Sequence, residues 1–375
     1  MTPVTIVIVA RNAAATIGRA VRSALAEAPA RVLLVDDYSS DDTGALARAA
    51  GGERIDIVRP IEHRTLGFAR QTGISAVQTP YGVWLDADDE LLPGRVARLT
   101  GALTAANASI AADGAEFVDE ATGTTASAPI PALLRHGAAA VRLFERNYLP
   151  GPGVIAVETG AAKSIGYDPS LHGAEDIDFL LRSIAAGRRC GFIDTIGYRC
   201  HISPASHSRD LGRQRAMYKR ALQKHDYGRV RDLYTAAGEG HAAWWALASM
   251  AAYREEYSAA YGFLTEARRS ADGTVDTWRF DFQGGTLQLL MGRPRIAHRL
   301  LTAAERLQPT PEGANNLGVA TAQIGDRQSA DALFQQALDR LPGYRDAQVN
   351  LSSAAASHVT SHPLRIEPNR QDYRV

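Results

Sequence analysis

Lysine is nearly missing from this chain: of the 41 basic side chains only Lys163, Lys219 and Lys224 are lysines, and the rest are arginines. Acidic residues also number 41, so the formal net charge is zero. That balance excludes a chain that coats nucleic acid through net positive charge, and no nucleic-acid partner is expected. With so much alanine present, the arginine excess reads as compositional bias first and as a phosphate signal second. Cysteine is scarce as well. Cys190 and Cys200 cannot supply a disulfide framework or a four-ligand zinc site alone. Long hydrophobic runs are absent. The stretch from Val4 to Ala10 is too short to cross a bilayer, and too short and wrongly flanked for a signal peptide. The stretch from Ala242 to Ala252 also falls short of a span. The expectation is a soluble, cytoplasmic protein.

What is present is ordinary globular material. The 375 residues are 45% apolar and 22% charged, which argues against wholesale disorder. That length suggests two domains or three.

The first ninety residues alternate strands and helices. Strands are expected at Val4 to Val9, Arg31 to Val35, Ile55 to Val58 and Tyr81 to Leu85, as compact β-branched or apolar runs. Helices are expected at Thr16 to Ala28, Thr43 to Ala50 and Gly67 to Val77, the first with Ile17, Ala20, Val21, Ala24 and Leu25 on one face. This alternation argues for a parallel, doubly wound sheet, whose ligands bind at the carboxyl ends of strands. The acidic loops at 36–42 and 86–90 fall there. From Ala105 to Thr125, short apolar pieces alternate with Asp and Gly, as edge strands would. Tyr148 to Gly153 reads as a loop. Gly173 to Arg182 opens an amphipathic helix with a cluster of carboxylates.

From about residue 241 the pattern becomes helical. Gly292, Ala297, Leu301, Ala304 and Pro309 recur 33 positions later as Gly325, Ala330, Phe334, Ala337 and Pro342. An upstream copy carries Trp244, Leu247, Ala248, Ala260, Leu264 and Ala267. The pattern resembles the tetratricopeptide repeat, with small residues where two helices cross. A generic helical bundle is the alternative. Residues 357–375 are polar and Pro-punctuated and are expected to form a disordered tail.

Two acidic turns carry the chemistry. Asp86, Asp88 and Asp89 follow a buried strand, where unpaired buried carboxylates are unfavourable. Hard oxygen donors of this kind suit Mg²⁺ or Mn²⁺, which in turn holds a diphosphate; a solvated loop is the alternative. Asp36, Asp37, Ser39, Asp41 and Thr43 end an earlier strand. An Asp there can accept the imide N–H of a pyrimidine, or the stretch can cap the helix at 43–50. Eight basic residues between Arg209 and Arg231 either attract an anion or form the wet face of connecting helices.

In order and spacing, these pieces resemble the family 2 glycosyltransferases of the GT-A fold. The matching residues are Val7-Ile-Val-Ala-Arg-Asn12, Val35-Asp-Asp-x-Ser39 with Asp41 and Thr43, and Gly67-x-Ala-Arg70 before Gly73. They continue through Leu85-Asp-Ala-Asp-Asp89, Gly166-Tyr-Asp168, Glu175-Asp-Ile-Asp-Phe-Leu-Leu-Arg182 and Tyr198-x-x-His201. Gln71 departs from the pattern, where the family often has Asn. The resemblance covers residues 1–210 and implies an α/β GT-A domain, Rossmann-like with a mostly parallel sheet. A helical connector at 211–240 and an all-α repeat domain at 241–356 would follow it.

The resemblance also implies a nucleotide-sugar donor, most commonly a UDP-sugar, bound through Mn²⁺ or Mg²⁺. By position, Asp37 with Asp36 contacts the base, and Ala10 and Asn12 border the nucleotide pocket. Arg70 and Glu175 belong to the donor site. Asp86 and Asp88 form the metal and diphosphate motif, with Asp88 the direct ligand. His201 approaches the metal or diphosphate, or is structural. His207 and Arg209 contact phosphate, or are solvated. Asp176 is the base that accepts the acceptor's proton during inversion, its pKa raised by Glu175. Asp178 is expected to face elsewhere. No Gln-x-x-Arg-Trp motif is present, so transfer of a single sugar is expected rather than polymerisation. The acceptor is a saccharide of the cell surface or a peptide or protein, and the repeats recruit it or hold a homodimer. Two rivals are a non-catalytic scaffold with a vestigial transferase domain and a nucleotidyltransferase.

Overall fold

A computed structural model describes residues 2–135, 137–202, 211–270, 277–353 and 355–360. The chain forms two compact units, Met1–Glu239 and Gly240–Val375.

The first unit is built on one mixed sheet. Its strands are β1 (Val4–Ala10), β2 (Arg31–Asp36), β3 (Ile55–Val58), β4 (Tyr81–Asp86), β5 (Glu90–Leu91), β6 (Ile110–Asp119), β7 (Thr125–Ala128), β8 (Ile155–Glu158) and β9 (Cys190–Ile202). Their order is β3-β2-β1-β4-β8-β6-β9-β5, with β7 paired to β6. The β3-β2-β1-β4 half is parallel, as the alternation of the first ninety residues requires. Beyond β4 the sheet is mixed: β8 runs antiparallel to both β4 and β6, and β6 runs parallel to β9.

The helices of this unit are α1 (Ile17–Ala26), α2 (Thr43–Gly51), α3 (Leu66–Ala76), α4 (Arg95–Ala105), α5 (Thr159–Ile165), α6 (Glu175–Ala185), α7 (Leu211–Gln223) and α8 (Tyr227–Ala236). Two glycines explain how α3 reaches the sheet and the site. A Cβ on Gly73 would lie 2.9 Å from Val7, and one on Gly67 would collide with the backbone of Asp168 and Leu171. The helix is thereby pressed onto β1 at one end and onto the 168–171 turn at the other.

Residues 105–125 do not form edge strands. They contain β6, which is interior. The aspartate that suggested an edge, Asp113, is fully buried against Arg95, with contacts at 2.9–3.1 Å, and Arg95 also donates to the Gly153 carbonyl at 3.0 Å. The charge is tolerated inside because it is paired and hydrogen-bonded. Residues 211–239 fold with the sheet unit as α7 and α8. Lys224, just after α7, binds Asp168 at 2.5 Å and Asp178 at 2.6 Å, so this part of the basic run neutralises carboxylates of its own unit.

The second unit contains α9 (Gly240–Tyr253), α10 (Tyr257–Arg269), α11 (Thr277–Leu290), α12 (Pro294–Leu307), α13 (Pro311–Gln323), α14 (Arg327–Arg340) and α15 (Arg345–Ser352). A Cβ on Gly285 would lie 2.6 Å from Leu301, and one on Gly318 would lie 2.5 Å from Phe334. Both contacts repeat at the 33-residue offset. Ala297, Ala304, Ala330 and Ala337 are buried on the facing helices. A bulky side chain at this crossing forces the axes apart, at a cost of ~1–3 kcal/mol. Ala330→Trp is therefore expected to lower the stability of this unit while sparing the sheet unit. Two separated transitions in calorimetry, only one of them shifted, check this; a shift of both by the same amount counts against it.

The expected disordered tail begins too early. Residues 357–360 are held against α13 and α15: Thr360 N–H donates to Asn316 at 2.9 Å, and His358 N–H donates to Asn350 at 2.8 Å. Composition registers the polar segment but not the buried carboxamides that bind it. Residues 361–375 lie outside the described residues. Among the described residues, no helix is long and apolar enough to cross a membrane.

Candidate active site

The acidic loop after β2 divides its work among its carboxylates. Asp36 is buried; it accepts from Ser39 N–H at 2.9 Å and pairs with Arg59 at 2.8 Å. Burial pushes its pKa up, but the bonds from Ser39 and Arg59 outweigh that and hold it below the usual range. Asp41 accepts from the Thr43 N–H at 3.1 Å and the Ala14 N–H at 3.0 Å, which satisfies the start of α2 and fastens the β1–α1 loop. Asp37 differs. One oxygen meets His63 Nδ1 at 2.9 Å, and the other, Oδ1, is buried with no hydrogen-bond partner among the described residues. An acceptor in that state is unfavourable unless something donates to it.

Ala10 and Asn12 shape the same corner through the main chain. The Ala10 carbonyl accepts from Asp37 N–H at 2.9 Å. Asn12 adopts a left-handed φ of 53°, which Asn tolerates better than most residues. Its N–H reaches Ser39 and its side-chain oxygen accepts from Ser40 N–H at 2.8 Å, so it ties the first two loops together.

Arg70 is the junction of the site. It lies on α3, buried to 2% exposure and stacked 5.2 Å from the Trp84 ring. Its guanidinium donates to Asp86 at 2.9 Å and to Glu175 at 2.9 Å. Two carboxylates that lie 89 positions apart in sequence are thus bound to one cation. Behind them Tyr167 stacks on Phe179 of α6 at 4.6 Å and meets the Trp84 ring edge-on at 5.3 Å. Gln71 accepts from the Tyr167 N–H at 2.6 Å, which gives this departure from the family pattern a structural role in holding that turn.

The turn after β4 is clamped from the far side. The Tyr198 phenol accepts from Asp86 N–H at 3.0 Å and donates to buried Asp89 at 2.8 Å. Asp89 also accepts from His201 N–H at 2.8 Å. Asp89 therefore holds β9, and Asp86 and Asp88 remain to face a ligand. Asp88 is exposed, and among the described residues no other side chain donates to its carboxylate; Arg19 instead bonds its carbonyl at 2.6 Å. Crowding by the surrounding chain and then the nearby Asp86 push the Asp88 pKa up. A hard cation relieves that like-charge crowding, so the oxygen donors present fit Mn²⁺ or Mg²⁺.

The other expected ligand is otherwise engaged. His201 Nε2 faces Glu90 at 2.8 Å and Nδ1 faces Glu120 at 3.4 Å. Both ring nitrogens meet carboxylates, which supports the structural alternative for this histidine. Among the described residues, no three His, Cys, Asp or Glu side chains form a ready cation cage. Mg²⁺ and Mn²⁺ do not need one, because substrate phosphates and water complete their shells. His207 and Arg209 lie outside the described residues.

Glu175 and Asp176 open α6. The residue before them, Ala174, has φ 57°, a left-handed conformation unfavourable for a residue with a Cβ, and such strain is concentrated at functional sites. Asp176 is half-buried. Burial first and then Glu175 push its pKa up to about 7, while Arg70 opposes the rise. Asp178 is fully buried on Arg182 at 2.8 Å and on Lys224, away from this pair. Asp89, a candidate ligand by sequence, is a clamp instead, and Tyr198, Glu90 and Glu120 had no assigned role in the sequence reading. The Tyr198-x-x-His201 spacing was the only signal for any of them.

Known proteins agree with this architecture. Residues 5–161 match the family model described as glycosyl transferase family 2. The chain is 37% identical over 217 residues to succinoglycan biosynthesis protein ExoU of Rhizobium meliloti (strain 1021), covering 52% of this chain and 61% of that protein. It is 30% identical over 230 residues to ExoO of the same organism, covering 56% and 63%. The matched stretch thus spans under two thirds of either relative. The crystal structure of S. aureus TarS 1-349 in complex with UDP-GlcNAc superposes with a TM-score of 0.53 at 12% identity, over 89% of this chain and 92% of that one. A second structure of TarS 1-349 gives 0.51. The family match thus falls within the sheet unit, and the chain shares its fold with the TarS structures.

Proposed function

We propose that this chain transfers one sugar, with inversion, from a nucleoside diphosphate sugar to a saccharide acceptor. The observation that carries the proposal is Arg70, which joins Asp86 of the acidic turn to Glu175 beside Asp176. The diphosphate end and the proposed base are thereby parts of one connected cluster. The intact pair of centres disfavours a vestigial scaffold, and the β1–α1 loop has no Gly-rich nucleotide cradle of the kind a nucleotidyltransferase uses. Both curated relatives are named for biosynthesis of a glycan, which favours a saccharide acceptor over a peptide.

The geometry supports the following assignment of roles. The buried, unpartnered Oδ1 of Asp37 accepts the imide N–H of a pyrimidine, which makes a UDP-sugar the fitting donor. Asp88, with Asp86, would hold Mn²⁺ or Mg²⁺, which supplies positive charge against the donor diphosphate. Arg70 keeps Asp86 and Glu175 in place. Asp176 removes the proton of the acceptor hydroxyl as the hydroxyl oxygen forms its bond to the anomeric carbon; the nucleoside diphosphate leaves with the electrons of the bond it breaks. The second unit recruits the acceptor or joins two copies.

Donor hydrolysis across a panel of nucleotide-sugars, with Mn²⁺ and with EDTA, tests the reading; no metal-stimulated hydrolysis of any donor defeats it. Asp88→Ala is expected to abolish Mn²⁺-dependent UDP binding in calorimetry while leaving the melting temperature unchanged, because this exposed carboxylate supports no other side chain. Undiminished metal-dependent affinity removes Asp88 from the role.

A further inference from the structure

Tyr167 lies within the Arg70 cluster, and sugar transfer as described above gives its hydroxyl no part. The residue sits in the turn between α5 and α6 and is 4% exposed. Its ring is fixed from three directions. It stacks on Phe179, with ring centroids 4.6 Å apart and planes at 12°, and meets Trp84 edge-on at 5.3 Å and 84°. Its N–H is held by the Gln71 side chain at 2.6 Å.

Each ring contact leads to a member of the site. Trp84 is the ring on which the Arg70 guanidinium lies. Phe179 follows Asp176 by three positions on α6, so the two share a helix face, and a side chain at 179 leans back toward the turn that carries Asp176. The phenol is thereby set between the Arg70 side and the Asp176 side of the cluster. Its ionisation reflects the same neighbours: burial pushes the phenol pKa up, Arg70 opposes the rise, and Asp176, Glu175 and Asp86 add to it. The hydroxyl keeps its proton and offers it as a hydrogen-bond donor.

Among the described residues no group hydrogen-bonds that hydroxyl; the bond to Gln71 is made by the main chain. A buried phenol ordinarily has a partner for its O–H. Packing does not call for the hydroxyl, since a phenylalanine ring would stack on Phe179 and meet Trp84 equally well. The partner is therefore a group that the chain itself does not supply. Three carboxylates surround the phenol against one arginine, which disfavours a phosphate there and suits a neutral group. The neutral polar groups that sugar transfer brings beside Asp176 are sugar hydroxyls.

We propose that the Tyr167 hydroxyl bonds a non-reacting hydroxyl of the sugar held beside Asp176, which makes Tyr167 a specificity-determining residue of the transfer. The assignment rests on the sugar-transfer reading. A site built this way rejects a sugar lacking the contacted hydroxyl, because the phenol is then left buried and unpaired.

Tyr167→Phe tests it, since the variant keeps both ring contacts and loses only the O–H. Its melting temperature should match wild type, and so should its Mn²⁺-dependent affinity for UDP, which carries no sugar to be transferred. Its kcat/KM should fall by about tenfold, the scale of one hydrogen bond. A fall already present in donor hydrolysis without acceptor assigns the contact to the donor sugar. A fall confined to transfer, read as a raised acceptor KM, assigns it to the acceptor. Monodeoxy forms of that sugar give a second reading: one of them should be used about tenfold less well than the parent by the wild type, and no less well than the parent by the Phe variant. The pH limb of the rate should stay in place; a displaced limb would mean that the hydroxyl acts on Asp176 and not on a sugar, and overturns the proposal. A lowered melting temperature or weaker UDP binding overturns it as well, because the hydroxyl then serves the fold or the diphosphate. A wild type that hydrolyses no donor defeats the sugar-transfer reading itself, whereas an active wild type equalled by its Phe variant defeats this assignment alone.

Discussion

Asp176→Asn is expected to bind donor as tightly as the wild type and to turn over slower by ~10²-fold or more, the scale of losing a positioned general base. The substitution is nearly isosteric, so the start of α6 and the Arg70–Glu175 contact remain. The effect should appear in kcat. Burial, and then Glu175, raise the Asp176 carboxyl to about 7. A base works deprotonated, so the wild-type rate should rise with pH through about 7 and level off above it. The Asn variant should lack that limb. Rate against pH for both proteins measures this, and near-normal turnover of the Asn variant removes Asp176 from the role.

Arg70→Leu is expected to be the most destabilising single change in the sheet unit. It leaves Glu175, 2% exposed, and half-buried Asp86 without their shared cation. Breaking a buried pair from one side costs ~3–5 kcal/mol, because the remaining charge stays buried and uncompensated. For a domain of this size that is a fall in melting temperature on the order of 10 °C. Arg70→Lys keeps the charge but not the fork that bonds two carboxylates, so it should fall between. Removing the cation also removes the influence that lowers the Asp176 pKa, so any residual activity should have its pH limb moved upward. A melting shift within about 2 °C of wild type would show that the two carboxylates relax without Arg70.

The parallel half of the sheet was legible in sequence because a buried parallel strand is a continuous apolar run. Val4 to Ala10, Arg31 to Asp36 and Tyr81 to Asp86 carry that pattern within their own few residues. The acidic turns were legible for the same local reason: each follows such a strand directly. The 33-residue recurrence located the helix crossings, because close packing demands small residues at a fixed place in each pair.

What tertiary structure alone decided is which charges meet. Asp113 looked like an edge-strand residue until Arg95 was seen beside it in the sheet interior. Asp89 looked like a third candidate ligand, but Tyr198 and the His201 amide use it as a clamp. Two histidines divide in the same way: His63 orients one oxygen of Asp37, and His201 is enclosed by Glu90 and Glu120. The polar segment at 357–360 reads as tail, yet three asparagines bond its backbone. Strands and helices announce themselves through short periods of hydrophobicity. Ion pairs and carboxamide contacts across 8 to 112 positions have no period, so the sequence supplied the residue types and the order of the elements, and only the folded chain chose their partners.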